Sequence, residues 1–332
     1  MKKLTFLMIS FVFTISTHAK LWRVNINAAI NANFTSFVAA QSTVSANDTL
    51  YFEGSTISYG DITVTKPLVI IGPGYFLNEN PQTQSTAISA KLGKVIFNTG
   101  SIGSVITGME VQSSMTISES NISVIKCLVY GTSSNASNSI LLNSTISSIG
   151  NISILGDYLT SGIGSSGSNS IFNVLISNNY IKSNLYSSIG LGTYVSGEIK
   201  NNISEGDFGV LNFKLSNNIV KSGSVTLNNN TFYNNIGYGS QFPIGNANQQ
   251  NVNMNDVFVG STGNSTDGQW QLKQYSPAIG KGNDGTDCGM FGGSSPYVLS
   301  GLPSIPAIYE IIMPATGDNI NGIDVTIKAK IH

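Results

Sequence analysis

Histidine is almost absent from this sequence. Its 332 residues include two histidines, His18 in the predicted leader described below and His332 at the last position. Without an internal imidazole, the mature chain offers no histidine-based catalytic triad, zinc site or general base. The sequence therefore excludes every mechanism that depends on histidine.

Charge is also sparse, and arginine most of all. Charged residues make up 10% of the chain, and Arg23 is its one arginine. Without Lys2 and Lys3 of the predicted leader, 14 basic residues stand against 17 acidic ones, a formal charge of −3. Binding to a phosphate backbone needs several basic contacts, so we expect no nucleic-acid partner. The neutral surface of Ser, Asn, Thr and Gly suits glycan contact and simple solubility equally well.

The first 19 residues have the pattern of a secretory signal peptide. Two lysines precede an apolar run from Leu4 to Ile15, which ends in the small-residue sequence Thr17-His18-Ala19. The run is too short to anchor the chain in a bilayer, so we expect cleavage after Ala19 and no membrane span in the mature chain. The protein is therefore predicted to be secreted or held at the cell surface.

A short phrase recurs between Ser104 and Tyr233. It consists of an apolar residue, a polar one, two small or amide residues and a second apolar residue, as in Ile176-Ser177-Asn178-Asn179-Tyr180. This is the pattern of a strand that turns sharply and continues as another strand, and its repetition indicates a solenoid. The copies begin at Ile106, Val124, Ile154, Ile176, Ile199, Leu215 and Leu227.

The fourth residue of each phrase forms a predicted column along the solenoid. The steps between successive members are 18, 30, 22, 23, 16 and 12 residues. The last step, from Asn218 to Asn230, is too short for a whole coil. It fits either a contracted coil or a neighbouring face, and both interpretations stay open.

Asparagine fills this column in the later copies, at Asn179, Asn202 and Asn218. Asparagine tolerates left-handed backbone, and its amide bonds nearby backbone groups. In coils stacked ~4.8 Å apart, the amides can also form a ladder of hydrogen bonds. We therefore interpret the Asn pairs as structural. Asp157 lies in the same column and is either a turn cap or a lesser functional candidate.

The two cysteines are predicted to be separate, buried thiols. Cys127 falls in an early coil and Cys288 near the far end. At ~4.8 Å per coil they lie well beyond the ~7 Å between Cα atoms that a disulfide tolerates.

The two ends of the chain differ from the repeats. Residues 20–48 are predicted to form a cap, with a strand at residues 22–26 and a helix that Asn33 caps and that ends by Ala46. Apolar residues at helical spacing are Phe34, Phe37, Val38, Ala40 and Val44. Residues 49–293 are assigned to the solenoid, and residues 294–332 to a linker and a half-buried strand pair docked on it.

On these repeats and ends, the chain resembles the right-handed parallel β-helix proteins of the pectate-lyase-like superfamily, and within it secreted bacterial members of unassigned activity. The resemblance implies an all-β fold, a right-handed parallel β-helix solenoid with an N-terminal helix cap and a C-terminal strand-pair extension. It leaves the activity open, because this fold carries lyases, hydrolases, adhesins and inert shafts.

Two segments are candidate ligand sites. One is the polar loop from Tyr75 to Thr86, an excursion from the solenoid of the kind that often forms ligand sites. The other is the densest charged cluster, in which Glu198 and Lys200 point outward because Ile199 points inward. The cluster comprises the catalytic candidates Glu198, Lys200, Glu205 and Asp207, with Tyr194 and Phe208 as substrate-binding candidates.

The cluster has three interpretations. Hydrolysis needs two carboxylates ~5 to 9.5 Å apart, whereas the resemblance implies lyase chemistry with a Lys or Arg base and, commonly, calcium. A solvated group of charges near a turn is the third. Asp284 and Asp287 could hold calcium, although they lack the spacing of a calcium loop and also fit turn carboxylates. No other cofactor is expected.

Two functions therefore remain open. The first is an exported non-catalytic β-helix scaffold, surface-associated or glycan-contacting, which the sparse charges favour. The second is a lyase or hydrolase that acts on an extracellular polysaccharide through the carboxylates and lysine of the cluster.

Overall fold

The structure is a computed structural model that describes residues 19–131, 139–317, 320 and 322–331, without the side chains of residues 184–186. Apart from Ala19, the predicted signal peptide lies outside the described residues. Within them, no helix is long and apolar enough to cross a membrane.

Within the described residues, nearly all regular structure is short β-strand, with one helix, α1 (Phe37–Thr43), and three short 3₁₀ turns at Met254–Asp256, Gly268–Trp270 and Leu299–Gly301. The strands in chain order are β1 (Leu21–Val24), β2 (Thr49–Phe52), β3 (Ile62–Val64), β4 (Val69–Ile71), β5 (Lys91–Leu92), β6 (Val95–Phe97), β7 (Val105–Thr107), β8 (Glu110–Val111), β9 (Met115–Ile117), β10 (Ser123–Ile125), β11 (Leu128–Val129), β12 (Ile140–Asn143), β13 (Ile149–Leu155), β14 (Tyr158–Leu159), β15 (Ile163–Ser166), β16 (Ile171–Ser177), β17 (Tyr180–Gly190), β18 (Val195–Lys200), β19 (Ile203–Gly209), β20 (Phe213–Ser216), β21 (Ile219–Ser222), β22 (Thr231–Tyr233), β23 (Ile236–Gly237), β24 (Ala307–Ile312) and β25 (Thr326–Lys330).

The strands form the three faces of a parallel β-helix. Face A has the order β1-β2-β4-β7-β10-β13-β16-β18-β20-β22. Face B contains β5, β8, β11, β14, β21, β23 and the first parts of β17 and β19, whereas face C contains β3, β6, β9, β12, β15 and the last parts of β17 and β19. All of these pairings are parallel. The predicted right-handed β-helix is confirmed.

Structurally equivalent positions in successive coils stack directly over one another. Val124 pairs with Ile106 of the coil before and with Ile154 of the coil after. The inward-pointing residues of this row are fully buried, and each contributes roughly 1.5–3 kcal/mol to folding by leaving water. The row consists of Ile106, Val124, Ile154, Ile176, Ile199 and Leu215.

The predicted amide ladder lies at the corner between faces A and B. The Asn179 Nδ2 donates to Asn202 Oδ1 at 3.0 Å, and the Asn202 Nδ2 donates to Asn218 Oδ1 at 3.0 Å. The next member is Asn235, whose Oδ1 accepts from Asn218 Nδ2 at 3.0 Å. Asn230 instead accepts from the backbone N–H of Phe213 at a different corner. Of the two interpretations of the 12-residue step, the neighbouring face is therefore the correct one.

The two residues of each corner pair have different tasks. The first residue takes left-handed backbone, with φ between 52° and 66° from Gly108 to Asn234. Where this residue is Lys or Asn, its side chain points outward to the C-terminal segment 281–304, which we call the strap. The second residue points inward, and from Asn179 to Asn235 it builds the ladder.

The strap runs back along this corner toward the N-terminal coils. The Asn234 amide donates to Lys281 O at 2.8 Å, and farther along the Asn178 amide donates to Gly292 O at 2.7 Å. Lys126 replaces asparagine in an earlier coil, and its Nζ donates to Leu302 O at 3.0 Å. A row of corner side chains therefore holds the strap in place.

Residues before and within the strap cover the outer side of face B. A second apolar cluster forms there, separate from the core inside the coils, and it includes Tyr158, Tyr180, Ile203, Ile219, Trp270 and Met290. Cys288 belongs to this layer, whereas Cys127 lies in the inner core. Both cysteines are free and buried, as predicted. Burial raises the pKa of Cys127 well above its ordinary value and that of Cys288 to about 12.

The N-terminal helix is present, but it is shorter than predicted. Ser36 is the N-cap, with its Oγ accepting from the Ala39 N–H, and the helix ends at Thr43. Asn33 does not cap it, because its side chain accepts from the backbone N–H of Arg23 and so covers the edge of β1. Phe37 packs on Phe52 of the first coil, with ring centroids 6.5 Å apart. Val38 is exposed and was wrongly assigned to the apolar face.

The C-terminal strand pair is also present, as antiparallel β24 and β25. Its attachment to the rest of the protein is slight, and includes a bond from the Ser85 N–H to Ile308 O at 2.8 Å. The prediction that one face is buried on the solenoid is wrong for the described residues, because the alternating residues Ile323, Val325, Ile327 and Ile331 are all exposed.

Asp157 places a carboxyl group at a ladder position that asparagine occupies in later coils, and this should make the stability of the protein depend on pH. It is fully buried, its Oδ1 accepts from the Cys127 N–H at 2.7 Å, and its Oδ2 has no partner among the described residues. Burial raises the pKa of Asp157 well above its ordinary value. Above pH ~4 the unfolded chain loses this proton while the folded chain keeps it, so stability falls as pH rises, by at most about 1.4 kcal/mol per unit.

We therefore expect Asp157→Asn to stabilise the protein. An Asn Nδ2 would donate to Val124 O, as Asn179 Nδ2 donates to the equivalent Ile154 O at 2.9 Å. Urea denaturation at pH 5 and pH 8 measures the effect, which should be larger at pH 8, by about 1–3 kcal/mol. Asp284→Asn is the control, because hydrogen bonds from Thr286 lower the pKa of Asp284. The ionised carboxylate of Asp284 therefore stabilises the folded protein above pH ~4, and replacing it should lower the stability there. Equal stability of wild type and Asp157→Asn at pH 8 would contradict this account.

Candidate functional site

The predicted charged cluster is divided between faces of the solenoid. Glu198 and Lys200 lie on β18 of face A, and Ile199 between them is buried in the core as predicted. Glu205 and Asp207 lie on β19, beyond the corner. The four side chains therefore do not form one catalytic group.

On face A, Glu198 lies between two lysines. Its carboxylate is 3.4 Å from Lys200 Nζ and 3.1 Å from Lys214 Nζ. Although burial acts to raise it, the pKa of Glu198 is lowered by the hydrogen bonds and charges of these lysines. The group lies in a polar cleft of about 390 Å³, which Asp284 of the strap also lines. A carboxylate held in its ionised form cannot act as a general acid.

The remaining candidates have structural partners. Asp207 Oδ1 accepts from the N–H of Ser224 at 2.6 Å, and Phe208 is fully buried, so it cannot stack on a sugar. Asp284 accepts from the Thr286 N–H at 3.1 Å, and Asp287 from the Gly280 N–H at 2.8 Å, as expected of turn carboxylates. No group of three metal-binding side chains exists among the described residues. Tyr194 is exposed but lines neither this cleft nor the groove described next.

Glu205 lies in a different depression, which we call the face-B groove. The groove has a volume of about 540 Å³. Strands of face B form its floor, and its walls come from the loop after Tyr75 and from residues 266–270. The lining residues are Phe76, Leu128, Tyr130, Tyr158, Thr160, Tyr180, Lys182, Glu205, Lys221, Thr266, Gln269 and Trp270.

The register of face B arranges the floor in two columns. Leu128, Tyr158 and Tyr180 pair in successive coils. Two residues farther along the strands, Lys182 pairs with Glu205. Because side chains two apart share a face, the second column also points outward.

Aromatic rings form a continuous stack across the groove. The Tyr158 and Tyr180 centroids are 4.5 Å apart, and the Tyr180 and Trp270 centroids are 4.5 Å apart with planes inclined by 25°. The Phe76 ring meets Tyr158 edge-on at 5.3 Å. The three stacked rings are almost wholly buried, whereas Phe76 and Tyr130 remain partly open to solvent.

Glu205 is the hydrogen-bonding centre of the groove. Its Oε2 accepts from the Tyr180 hydroxyl at 2.7 Å, and its Oε1 pairs with Lys221 Nζ. Lys221 Nζ also lies 4.8 Å from the centroid of Trp270. Burial, together with the nearby Tyr158 and Glu205, raises the pKa of Tyr180 far above its ordinary value. The hydroxyl therefore stays protonated and donates a hydrogen bond to Glu205.

A buried carboxylate fixes the walls of the groove. Asp267 Oδ1 accepts from Asn80 Nδ2 at 3.0 Å, and Asp267 Oδ2 accepts from the Tyr297 hydroxyl at 3.0 Å and from the Ser300 N–H at 2.6 Å. The Tyr297 hydroxyl in turn lies 2.9 Å from that of Tyr75. This network joins the predicted loop to the C-terminal layer, so the loop does form part of a candidate ligand site.

Several groove residues were missed by sequence reasoning. Lys221 and Trp270 belong to later coils and to the covering layer, and no local motif relates them to Glu205. The available signal was the repeat itself, because its strands place Tyr130, Thr160, Lys182 and Glu205 at equivalent outward positions two residues after the corner's apolar residue.

The parallel stacking of coils defines the chain as a parallel β-helix protein. No family model matches the sequence, and no curated protein matches it. Among solved structures, it is similar to the crystal structure of pectate lyase Pel9A, with 12% sequence identity and a TM-score of 0.44 over 83% of this chain and 96% of that one. The fold assignment here rests on the strand pairing, and the chemistry of the groove on its own residues.

Proposed function

We propose that the protein is an exported, non-catalytic β-helix that binds a polysaccharide in the face-B groove. The observation that carries this proposal is the combination of partly open rings with hydrogen-bonding side chains in one open depression. Ligand sites commonly combine an apolar floor with a few convergent polar groups. A sugar presents both an apolar C–H surface and hydroxyl groups, so it is complementary to such a lining.

The polar groups suit binding along the solenoid axis. From Tyr130 to Glu205 the outward column rises through three coil steps, roughly 14 Å at ~4.8 Å per coil. Lys182 is exposed and has no ion pair among the described residues, so it is free to donate hydrogen bonds to a ligand. The groove therefore supports contact with more than one sugar unit.

The same residues make catalysis the weaker alternative. Glu205 is the only carboxylate among the described lining residues, and a glycoside hydrolase of the usual kind needs two. Lys221 is paired with Glu205, so its amine would have to leave that contact before it could act as a lyase base on a substrate. The observation that favours an enzyme is that an acid, an amine and a phenol converge in the groove, and the alternative function remains a polysaccharide lyase or hydrolase acting through them.

Binding measurements on the mature chain test the proposal. Purified protein is titrated with neutral and with acidic polysaccharides by calorimetry, and each mixture is assayed for new reducing or unsaturated ends. We expect binding without products, in the presence or absence of calcium. Products that disappear with Glu205→Gln would overturn the non-catalytic function in favour of the alternative.

Groove variants localise the binding. We expect Lys182→Ala and Tyr130→Ala each to weaken affinity at least about tenfold, because each removes about 1.4 kcal/mol or more of contact with the ligand. Lys214→Ala is the matched control, since Lys214 is an exposed lysine on face A outside the groove. If Lys214→Ala weakened binding as much as Lys182→Ala, the site would not be the face-B groove.

Export is part of the same proposal and rests on the sequence of residues 1–19. The amino terminus of the protein recovered from the culture medium or the cell envelope tests it, and we expect the mature chain to begin at Lys20. Full-length protein confined to the cytoplasm would contradict it.

A further inference from the structure

The two lysines of the face-B groove both lie next to a carboxylate. Lys182 pairs in register with Glu205 of the next coil, and Glu205 Oε1 forms an ion pair with Lys221 Nζ. Glu205 therefore lies between the two positive charges. Among the described lining residues, the groove has no cluster of cations that is free of a neighbouring negative charge.

Two further carboxylates, which we call the rim carboxylates, lie toward the Tyr130 end of the groove. Glu110 pairs in register with the lining residue Leu128, and Glu79 Oε2 accepts from the N–H of the wall residue Thr266 at 2.7 Å. Burial raises the pKa of Tyr130, and the charges of Glu110 and Glu79 raise it further. Both rim carboxylates therefore act electrostatically on a ring that lines the groove.

In the described residues, negative charge outweighs positive charge in and around the groove. Lys91, the neighbour of Glu110 in the coil beyond, lies one coil farther from the lining residues. A ligand that carried a carboxylate on every unit would meet like charges here, which opposes binding. The carboxylates are Glu79, Glu110, Glu205 and the buried Asp267, and the lysines are Lys182 and Lys221.

The open hydrogen-bonding positions of Glu205 also require donors. A carboxylate has about four lone-pair sites, and the Tyr180 hydroxyl and Lys221 fill one each. A sugar hydroxyl can donate to a remaining site and accept a hydrogen bond from Lys182. A ligand carboxylate can only accept, and beside Glu205 it meets a like charge.

We propose that the ligand of the face-B groove is an uncharged polysaccharide, and that the groove discriminates against polymers of uronic acids. This inference rests on the proposed function and adds the chemical class of the ligand. Hydroxyl groups satisfy both Glu205 and Lys182 without adding charge. The rim carboxylates supply the repulsive contacts on which specificity often depends.

A matched pair of ligands tests the inference. Uncharged cello-, manno- and galacto-oligosaccharides are titrated into the mature chain by calorimetry. One that binds is then oxidised at its primary hydroxyls, which gives the uronic acid form of the same backbone. At low salt, we expect the oxidised form to bind at least about tenfold more weakly, a difference of ~1.4 kcal/mol.

The salt dependence gives the sign of the interaction. Because added salt screens charges, binding of the oxidised form should strengthen as the salt concentration rises. Binding of the uncharged form should change by less than about twofold over the same range. Attraction of the ligand to Lys182 and Lys221 would give the opposite result, with the oxidised form binding more weakly at high salt.

Glu110→Gln localises the discrimination. Glutamine removes the charge and keeps an oxygen that can accept the hydrogen bond from Ser89. We expect the preference for the uncharged form to narrow about threefold, the effect of one like charge in a solvated groove. Glu119→Gln is the matched control, because Glu119 accepts from backbone N–H groups outside the groove and its loss should leave the preference unchanged.

The outcomes separate this inference from the proposed function. Equal affinity for the two forms, or tighter binding of acidic oligosaccharides that weakens with salt, would overturn the inference and leave glycan binding in the groove intact. If neither uncharged nor acidic oligosaccharides bound, the proposed function itself would be wrong, and the inference would fall with it.

Discussion

Replacing Asn202 with alanine is expected to lower the free energy of unfolding by about 3–6 kcal/mol. The Asn202 Oδ1 accepts from the backbone and the side-chain amide of Asn179, both at 3.0 Å. Its Nδ2 donates to Ile176 O at 2.9 Å and to Asn218 Oδ1 at 3.0 Å. Alanine leaves at least two of these buried groups without a partner, and each costs roughly 1–3 kcal/mol in addition to the cavity.

Urea denaturation measures this effect, with Asn151→Gly as the control. Asn151 belongs to an exposed amide ladder, in which its Nδ2 donates to Asn121 Oδ1 at 2.9 Å, and glycine keeps its left-handed backbone. Because water replaces the lost bond at an exposed site, we expect a loss below about 1 kcal/mol. Coils contact only their neighbours, so Asn202→Ala can also separate unfolding into two transitions. Equal losses of unfolding free energy for the two variants would show that burial does not determine how much the amide hydrogen bonds contribute to stability.

Asp267→Ala is expected to release the outer layer and to abolish binding in the groove. Asp267 is fully buried and accepts from Asn80, Ser265, Tyr297 and Ser300. A hydrogen bond contributes about 0.5–1.5 kcal/mol net, so the loss of all four should reach about 2–6 kcal/mol. The lost hydrogen bonds join the loop after Tyr75 to the C-terminal layer, so this contact should weaken while the coils themselves stay intact.

Hydrogen exchange resolves where the damage lies. We expect faster exchange in residues 75–86 and 265–302, with unchanged protection in β13, β16 and β18. Asp207→Ala is the control, because Asp207 is partly exposed and accepts two bonds from Ser224. If all coils lost protection together, Asp267 would stabilise the whole solenoid and the outer layer would not be a separate unit.

The sequence was sufficient to predict the solenoid because the corner has a demanding chemistry. Left-handed backbone recurs at the first residue of each corner pair from Gly108 to Asn234, and in the later coils an inward amide follows it, from Asn179 to Asn235. The same reasoning left the last corner undecided, because Asn228, Asn229 and Asn230 satisfy the similar needs of a different corner. The local residue pattern alone cannot distinguish two corners that both need left-handed backbone.

The candidate site was predicted only in part, for a physical reason. Alternation correctly turned Glu198 and Lys200 outward, and the loop after Tyr75 does line the groove. However, the corner between β18 and β19 sends residues only seven positions apart to different faces. Phe208 was misjudged because it follows a second bend in β19 that turns it into the core. Trp270 approaches Glu205 from the covering layer, and no local pattern encodes that distance.

The strap also limits how this protein can change in length. Solenoids ordinarily grow or shrink by whole repeats, since each repeat meets only its neighbours. Here one continuous segment is fastened to corner residues from Asn234 to Lys126, so its span must match the number of coils between them. Duplicating a single coil would leave that segment too short by the height of one coil, ~4.8 Å. A viable longer variant would need a matching insertion in residues 281–304.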